Sequence, residues 1–176
     1  MAELVERVDE QDRVLGVVDR DEAVLRGWPH RVATTVCRDP RGRVLVHRRA
    51  EHVSRFPGHY DWLVGGGVEA GETYEEAAAR ELAEELGVRV PVRFVFKFLC
   101  SGAISRYWLG VHEAVLTEAV VPDASEIAWC GWLTEQELRE ALGRWLFVPD
   151  GVDALRRYPG VTAPAAVMPS PAPPRS

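Results

Sequence analysis

The segment GGVEAGETYEEAAARELAEELGV, residues 66–88, sets a glycine run directly before a helix whose two ends are both written in the sequence. Thr73 and Glu76 form a capping box that starts it, and Gly87 suits a left-handed C-cap that stops it. The spacing predicts a helix over 74–86. At 100° per residue, Ala78, Leu82 and Leu86 make one apolar stripe, which has to be laid on a core. Glu81, Glu84 and Glu85, at i, i+3 and i+4, crowd a neighbouring face. Like charges at this spacing each cost roughly a few tenths of a kcal/mol. Arg80 cannot neutralise all three.

Such a face is either solvated or built for a cation. Hard divalent ions such as Mg²⁺ take clustered carboxylate oxygens and are often shared with substrate phosphates. Gly65-Gly66-Gly67 favours the second reading. Backbone without Cβ comes close to a ligand and exposes carbonyls as further hard ligands, and a solvated face has no use for such a preface.

The remaining sequence frames this segment. A chain of 176 residues points to one domain, two at most. Acidic residues outnumber basic ones, 27 to 21, for a net charge of −6. That disfavours a nucleic-acid polymer or an anionic membrane as partner. No apolar run approaches the ~18 residues of a membrane span. The first residues hold no basic stretch followed by an apolar one, so a cytoplasmic location is expected. Cys37, Cys100 and Cys130 are far apart and odd in number, which reads as three small apolar fillers.

Strands are expected at Leu4–Val8, Val14–Val18, Val32–Cys37, Val44–Arg48, Tyr60–Val64, Val90–Leu99, Ser105–Leu116 and Ile127–Trp132. The third and fourth of these should form a hairpin around Asp39-Pro40-Arg41-Gly42. Shorter helices are expected at Asp21–Arg26, Thr134–Leu142 and Val152–Tyr158. The order fits an α+β fold, an α/β/α sandwich around a mixed central sheet. Residues 1–160 form the expected domain. Residues 161–176, rich in Pro and Ala, read as a disordered tail.

The glycine-helix segment resembles the signature of the Nudix hydrolase family, G-x5-E-x7-R-E-U-x-E-E-x-G-U, where U is bulky and aliphatic. Gly66, Glu72, Arg80, Glu81, Leu82, Glu84, Glu85, Gly87 and Val88 occupy every specified position. A chance match in such a chain is on the order of 10⁻⁷. The stretches VDEQDRVLGVVDRDEAVLRGWPHR, VLVHRRA and RFPGHYDWLVGGGVEAGE extend the likeness to the branch nearest isopentenyl-diphosphate isomerase. One local departure is Val64, where many members have Pro.

The resemblance implies a Nudix fold with one catalytic loop-helix-loop. It also implies Mg²⁺-assisted cleavage, Mn²⁺ being the other candidate, of a small-molecule diphosphate, with a weak lean towards nucleoside diphosphates. By position, Glu81 and Glu85 become metal ligands, joined by the Gly66 carbonyl. Glu84 becomes a ligand or the group that deprotonates water. Arg80 and Glu72 brace the loop. Glu126, outside the signature, matches the place of an extra ligand or base. Arg48 and Arg49 are candidates for substrate phosphate, and strand alternation lets only one face the site. Two rival readings stay open: a non-catalytic Nudix module that binds a nucleotide-like ligand, and isomerase-like activity. The second would need a cysteine near the glycines, and none lies between Cys37 and Cys100. A homodimer is also left open.

Overall fold

A computed structural model describes residues 2–158. The expected tail and the end of the expected domain lie outside the described residues. The elements run β1 (Leu4–Val8), β2 (Val14–Asp19), α1 (Arg20–Arg26), β3 (His30–Arg38), β4 (Val44–Arg49), β5 (Tyr60–Asp61), β6 (Val64–Gly67), α2 (Tyr74–Leu86), β7 (Arg93–Cys100), β8 (Tyr107–Val115), β9 (Ile127–Leu133), α3 (Glu135–Leu142) and α4 (Pro149–Arg157). β1 and β2 pair as a separate antiparallel ribbon, and the other seven strands form one mixed sheet.

The expected hairpin of β3 and β4 forms only at its closed end. Asp39 caps the turn, accepting from the Arg41 and Arg43 amides at 3.0 and 2.9 Å. Beyond it the two strands share the single register pair Arg38↔Val44, and each then takes other partners. β3 pairs with β8 in parallel from His30↔Tyr107 to Arg38↔Val115, and with β6 from Val32↔Gly67 to Thr35↔Val64. β4 pairs with β9 and, at its far end, with β5. The sheet is therefore forked, with β6-β3-β8-β7 on one arm and β5-β4-β9 on the other.

The strand expected over Tyr60–Val64 is split into β5 and β6. Asp61 Oδ1 accepts the Leu63 amide at 3.1 Å, which turns the chain. Trp62 drops into the interior, and its indole donates to the Gly151 carbonyl at 2.7 Å. The three glycines are not loop. They belong to β6, beneath α2.

α2 spans the range the spacing predicts. Both halves of the capping box are made, and Gly87 ends the helix at φ 67°. Leu82 and Leu86 are buried with Leu45, Val64 and Ile127 on one side of the sheet. On the other side Leu138 of α3 and Ala154 and Leu155 of α4 pack on Val36, Val46 and Leu109. Burial of each such aliphatic side chain stabilises the fold by roughly 1.5–3 kcal/mol. The result is an α/β/α sandwich. Cys37 and Cys100 are buried and Cys130 is half-buried, and all three are free thiols.

Candidate active site

The fork of the sheet opens into a cleft of about 900 Å³ between α2, β4, β3 and the start of α4. One wall is acidic. Glu81, Glu84 and Glu85 of α2 line it, and Glu126 faces them from the loop before β9. Arg80 lies at its root. The guanidinium donates to Glu72 Oε1 and Oε2 at 2.8 and 3.0 Å, to the Gly67 carbonyl at 2.9 Å and to Glu81 Oε1 at 2.8 Å. A longer contact of 3.3 Å reaches Glu84. One cation thus ties the loop before α2, the end of β6 and two acids of α2 together. The side chain of Glu84 is 58% exposed and that of Glu81 12%.

Electrostatics separate these acids. Burial pushes the Glu81 carboxyl above its ordinary range, and the Arg80 charge opposes that shift. Glu85 is raised well above the ordinary range, by burial first and then by repulsion from Glu81 and Glu126. Several carboxylates in a half-dry wall are costly unless a cation discharges them. Their oxygens are the donors that hard divalent ions prefer. Gly66 fits the same reading, because a Cβ there would stand 2.6 Å from Glu81 Oε1. Bare backbone is what lets the acid sit against β6. Among the described residues the acids ring the cleft without closing into a three-ligand cage. The fit to Mg²⁺ rests on donor type, charge and the bare glycine.

The opposite wall is basic. Arg49, at the end of β4, faces the cleft, and its Nε donates to the Arg55 carbonyl at 2.8 Å. Arg48 faces away, donating to the Gly58 carbonyl and pairing with Glu51. Arg20, from α1, and Arg55 join Arg49 on the cleft. Burial and the Arg20 charge lower the Arg55 pKa. Arg20 is held by both oxygens of Glu3, at 3.0 Å each, while its Nε is buried with no partner among the described residues. Neither Arg20 nor Arg55 is marked as a site residue by the sequence. They sit in a short helix and an irregular loop, and no spacing marks either one.

His30 and His47 also line the cleft, and burial pushes both down to about 4, so they are neutral. His59 is half-buried, bonded to the Pro57 carbonyl at 3.0 Å. The floor is aliphatic, formed by Val32, Leu63, Leu109 and Val148 with Ile104 at the rim. Trp62 is core, and the Trp108 indole donates to the Asp9 carbonyl at 3.1 Å, outside the cleft. Tyr107 reaches the cleft with its hydroxyl bonded to Asp150.

A family model for the NUDIX domain matches residues 28–151, which includes α2, β4 and the whole fork. The chain belongs to the Nudix family. An uncharacterised Nudix hydrolase of Streptomyces coelicolor is 47% identical over 171 residues, 94% of each chain. A prenyl-diphosphate phosphatase of Methanosarcina mazei is 32% identical over 143 residues, covering 79% of this chain and 84% of that one. The crystal structure of a Deinococcus radiodurans protein superposes with a TM-score of 0.76 at 30% identity, covering 88% of this chain and 98% of that one. Nudix hydrolases act on pyrophosphate bonds in small molecules and generally use divalent metal ions. Among the described residues no helix is long and apolar enough to cross a membrane.

Proposed function

We propose that this Nudix protein hydrolyses the diphosphate of a small organic molecule, with Glu81, Glu85 and the Gly66 carbonyl holding Mg²⁺. The observation that carries the reading is the pairing of walls: the acids of α2, two of them half-buried, face three arginines across one cleft. When bound, the ion would withdraw charge from the phosphoryl oxygens and acidify water. Glu85, half-buried and with its carboxyl pushed well above the ordinary range in the free protein, is the acid that gains most from a cation beside it. Glu84 and Glu126, more exposed, are placed to take a proton from water. Arg49 and Arg55 match phosphate oxygens with guanidinium forks. Arg80 is spent on its own helix and loop, which makes it a brace for the ligands. Arg48 has no part in the site.

One observation favours an apolar organic group over a nucleoside. The floor offers aliphatic side chains, while Trp62 and Trp108 are engaged elsewhere and the Phe56 and Tyr107 rings on the cleft have partners, Phe56 against His59 at 5.4 Å and Tyr107 bonded to Asp150. The resemblance to a prenyl-diphosphate phosphatase supports the same choice. Isomerase chemistry gains no support, since none of the three cysteines lines the cleft. The test is phosphate and pyrophosphate release with Mg²⁺ across prenyl diphosphates, nucleoside di- and triphosphates, sugar nucleotides and dinucleotides, with E85Q as the blank. Turnover of the prenyl set that is lost in E85Q is the expected result. Turnover of nucleotides alone overturns the apolar choice. Silence from a folded, Mg²⁺-binding protein overturns the hydrolase and leaves a binding module.

A further inference from the structure

Asp61 is one of the cleft carboxyls that lie on neither the α2 wall nor the loop facing it, with Glu3, Asp21, Glu69 and Asp150; Glu3 is paired with Arg20 and Asp150 is bonded to Tyr107. Asp61 belongs to β5, opposite His47 in register, so both side chains fall on the same face of that strand pair. Both line the cleft. Oδ1 accepts the Leu63 amide, and among the described residues no cation pairs with the carboxyl within 4.0 Å. α4 is shaped around it: a Cβ on Gly151 would stand 2.6 Å from Asp61 Oδ1. The start of α4 comes this close to the acid because the residue there is glycine. The groups around it are Arg49 and neutral His47 from β4, Asp150 from α4, Tyr107 of β8 bonded to Asp150, and Glu85 across the cleft. Asp61 is close enough to Glu85 to help raise that carboxyl.

We propose that Asp61 is a catalytic acid that protonates the departing organic phosphate. The inference rests on the hydrolase reading above. Its place argues for the role. Asp61 adjoins the start of α4, where Val148 contributes to the aliphatic floor, so it lies at the organic end, and the reading above assigns the water to the acids across the cleft. As water attacks the terminal phosphorus, a new P–O bond forms. The bridging P–O bond breaks and its electron pair goes to the bridging oxygen. That oxygen takes the Asp61 proton, and the attacking water gives a proton to an acid of the opposite wall. Solvent then reprotonates Asp61. The environment suits a proton store: burial, against the pull of the backbone amides and Arg49, raises this carboxyl to about 7. That lies near neutral operating pH, where a general acid works best.

The test compares wild type and D61N on two diphosphates, one releasing an alkyl phosphate and one releasing a more acidic trifluoroethyl phosphate. For the alkyl substrate D61N is expected to lower kcat by about 10²-fold and to abolish the decline of kcat above pH 7. For the trifluoroethyl substrate the loss should shrink to a few-fold, because that oxygen departs without help. Equal losses on both substrates, or a D61N rate equal to wild type, overturn the inference while the hydrolase reading stands. Should D61N fail to fold, wild type alone decides. An alkaline decline confined to the alkyl substrate supports the role, and identical profiles for both substrates overturn it. A wild type inert towards every diphosphate overturns both.

Discussion

The two walls of the cleft are built on opposite plans. The acidic wall is local: Glu81, Glu84 and Glu85 ride one helix, held from below by Arg80, and only Glu126 arrives from elsewhere. The basic wall is assembled from afar: Arg20 comes from α1, Arg49 from the tip of β4 and Arg55 from the loop that follows. A wall on one helix keeps its internal geometry as long as that helix is capped. A wall drawn from three elements exists only when the ribbon, the fork and the loop are all in place. Metal binding should therefore tolerate loosening of the fold that abolishes substrate binding.

Substitutions can break or sharpen that contrast. The largest effect is expected from E85Q, which should lower Mg²⁺-dependent kcat by about 10²–10³-fold with little change in Tm. A rate near wild type would remove Glu85 from the site. R80K keeps the charge but loses the fork that spans Glu72, Gly67 and Glu81. It should weaken metal affinity by about 10–100-fold, read by titration with Mn²⁺. R55A should act on the other wall, raising KM by about 10–100-fold, the loss of a charged hydrogen bond or two, with Mn²⁺ affinity unchanged. A fall in metal affinity equal to that of R80K would show that the two walls are one unit. E126Q should lower kcat by about 10-fold, less than E85Q, and no change would exclude it as a base. Least affected should be E3Q, which frees Arg20 from its partner and changes KM only a few-fold.

Stability gives a reading that needs no substrate. Asp61 has a folded pKa of about 7 against 3.8 in the unfolded chain, so the folded state holds the extra proton between these values. Its ionisation takes stability away as pH rises through that window. D61N lacks this loss. Its Tm relative to wild type should therefore climb from about pH 4 to 7 and level off above. A flat difference across that range would mean that Asp61 is ionised throughout.

The same contrast explains what could be read beforehand. α2 was legible to the residue, because its caps, apolar stripe and acids are fixed by spacing along the chain alone. Alternation along β4 foretold that Arg48 and Arg49 diverge, though not which one faces the cleft. The split of Tyr60–Val64 was invisible, since it depends on Trp62 meeting the Gly151 carbonyl of a helix 89 positions away. Arg20, Arg55 and Asp61 were missed for the same reason. Each belongs to the cleft through the path of the chain in space, and nothing in its neighbouring residues records that path.

The fork itself has the geometry of a lever. β3 and β4 meet at Arg38↔Val44 and nowhere else in register, so the angle at that junction sets the width of the opening. Arg49 stands five positions beyond Val44, about 17 Å along the strand. A rotation of about 4° at the junction would carry its guanidinium about 1 Å, and a misplacement of that size can cost about 10²-fold in rate. Val44, buried at the crotch and touching no substrate, thus becomes a place where one methyl group can tune the whole reaction.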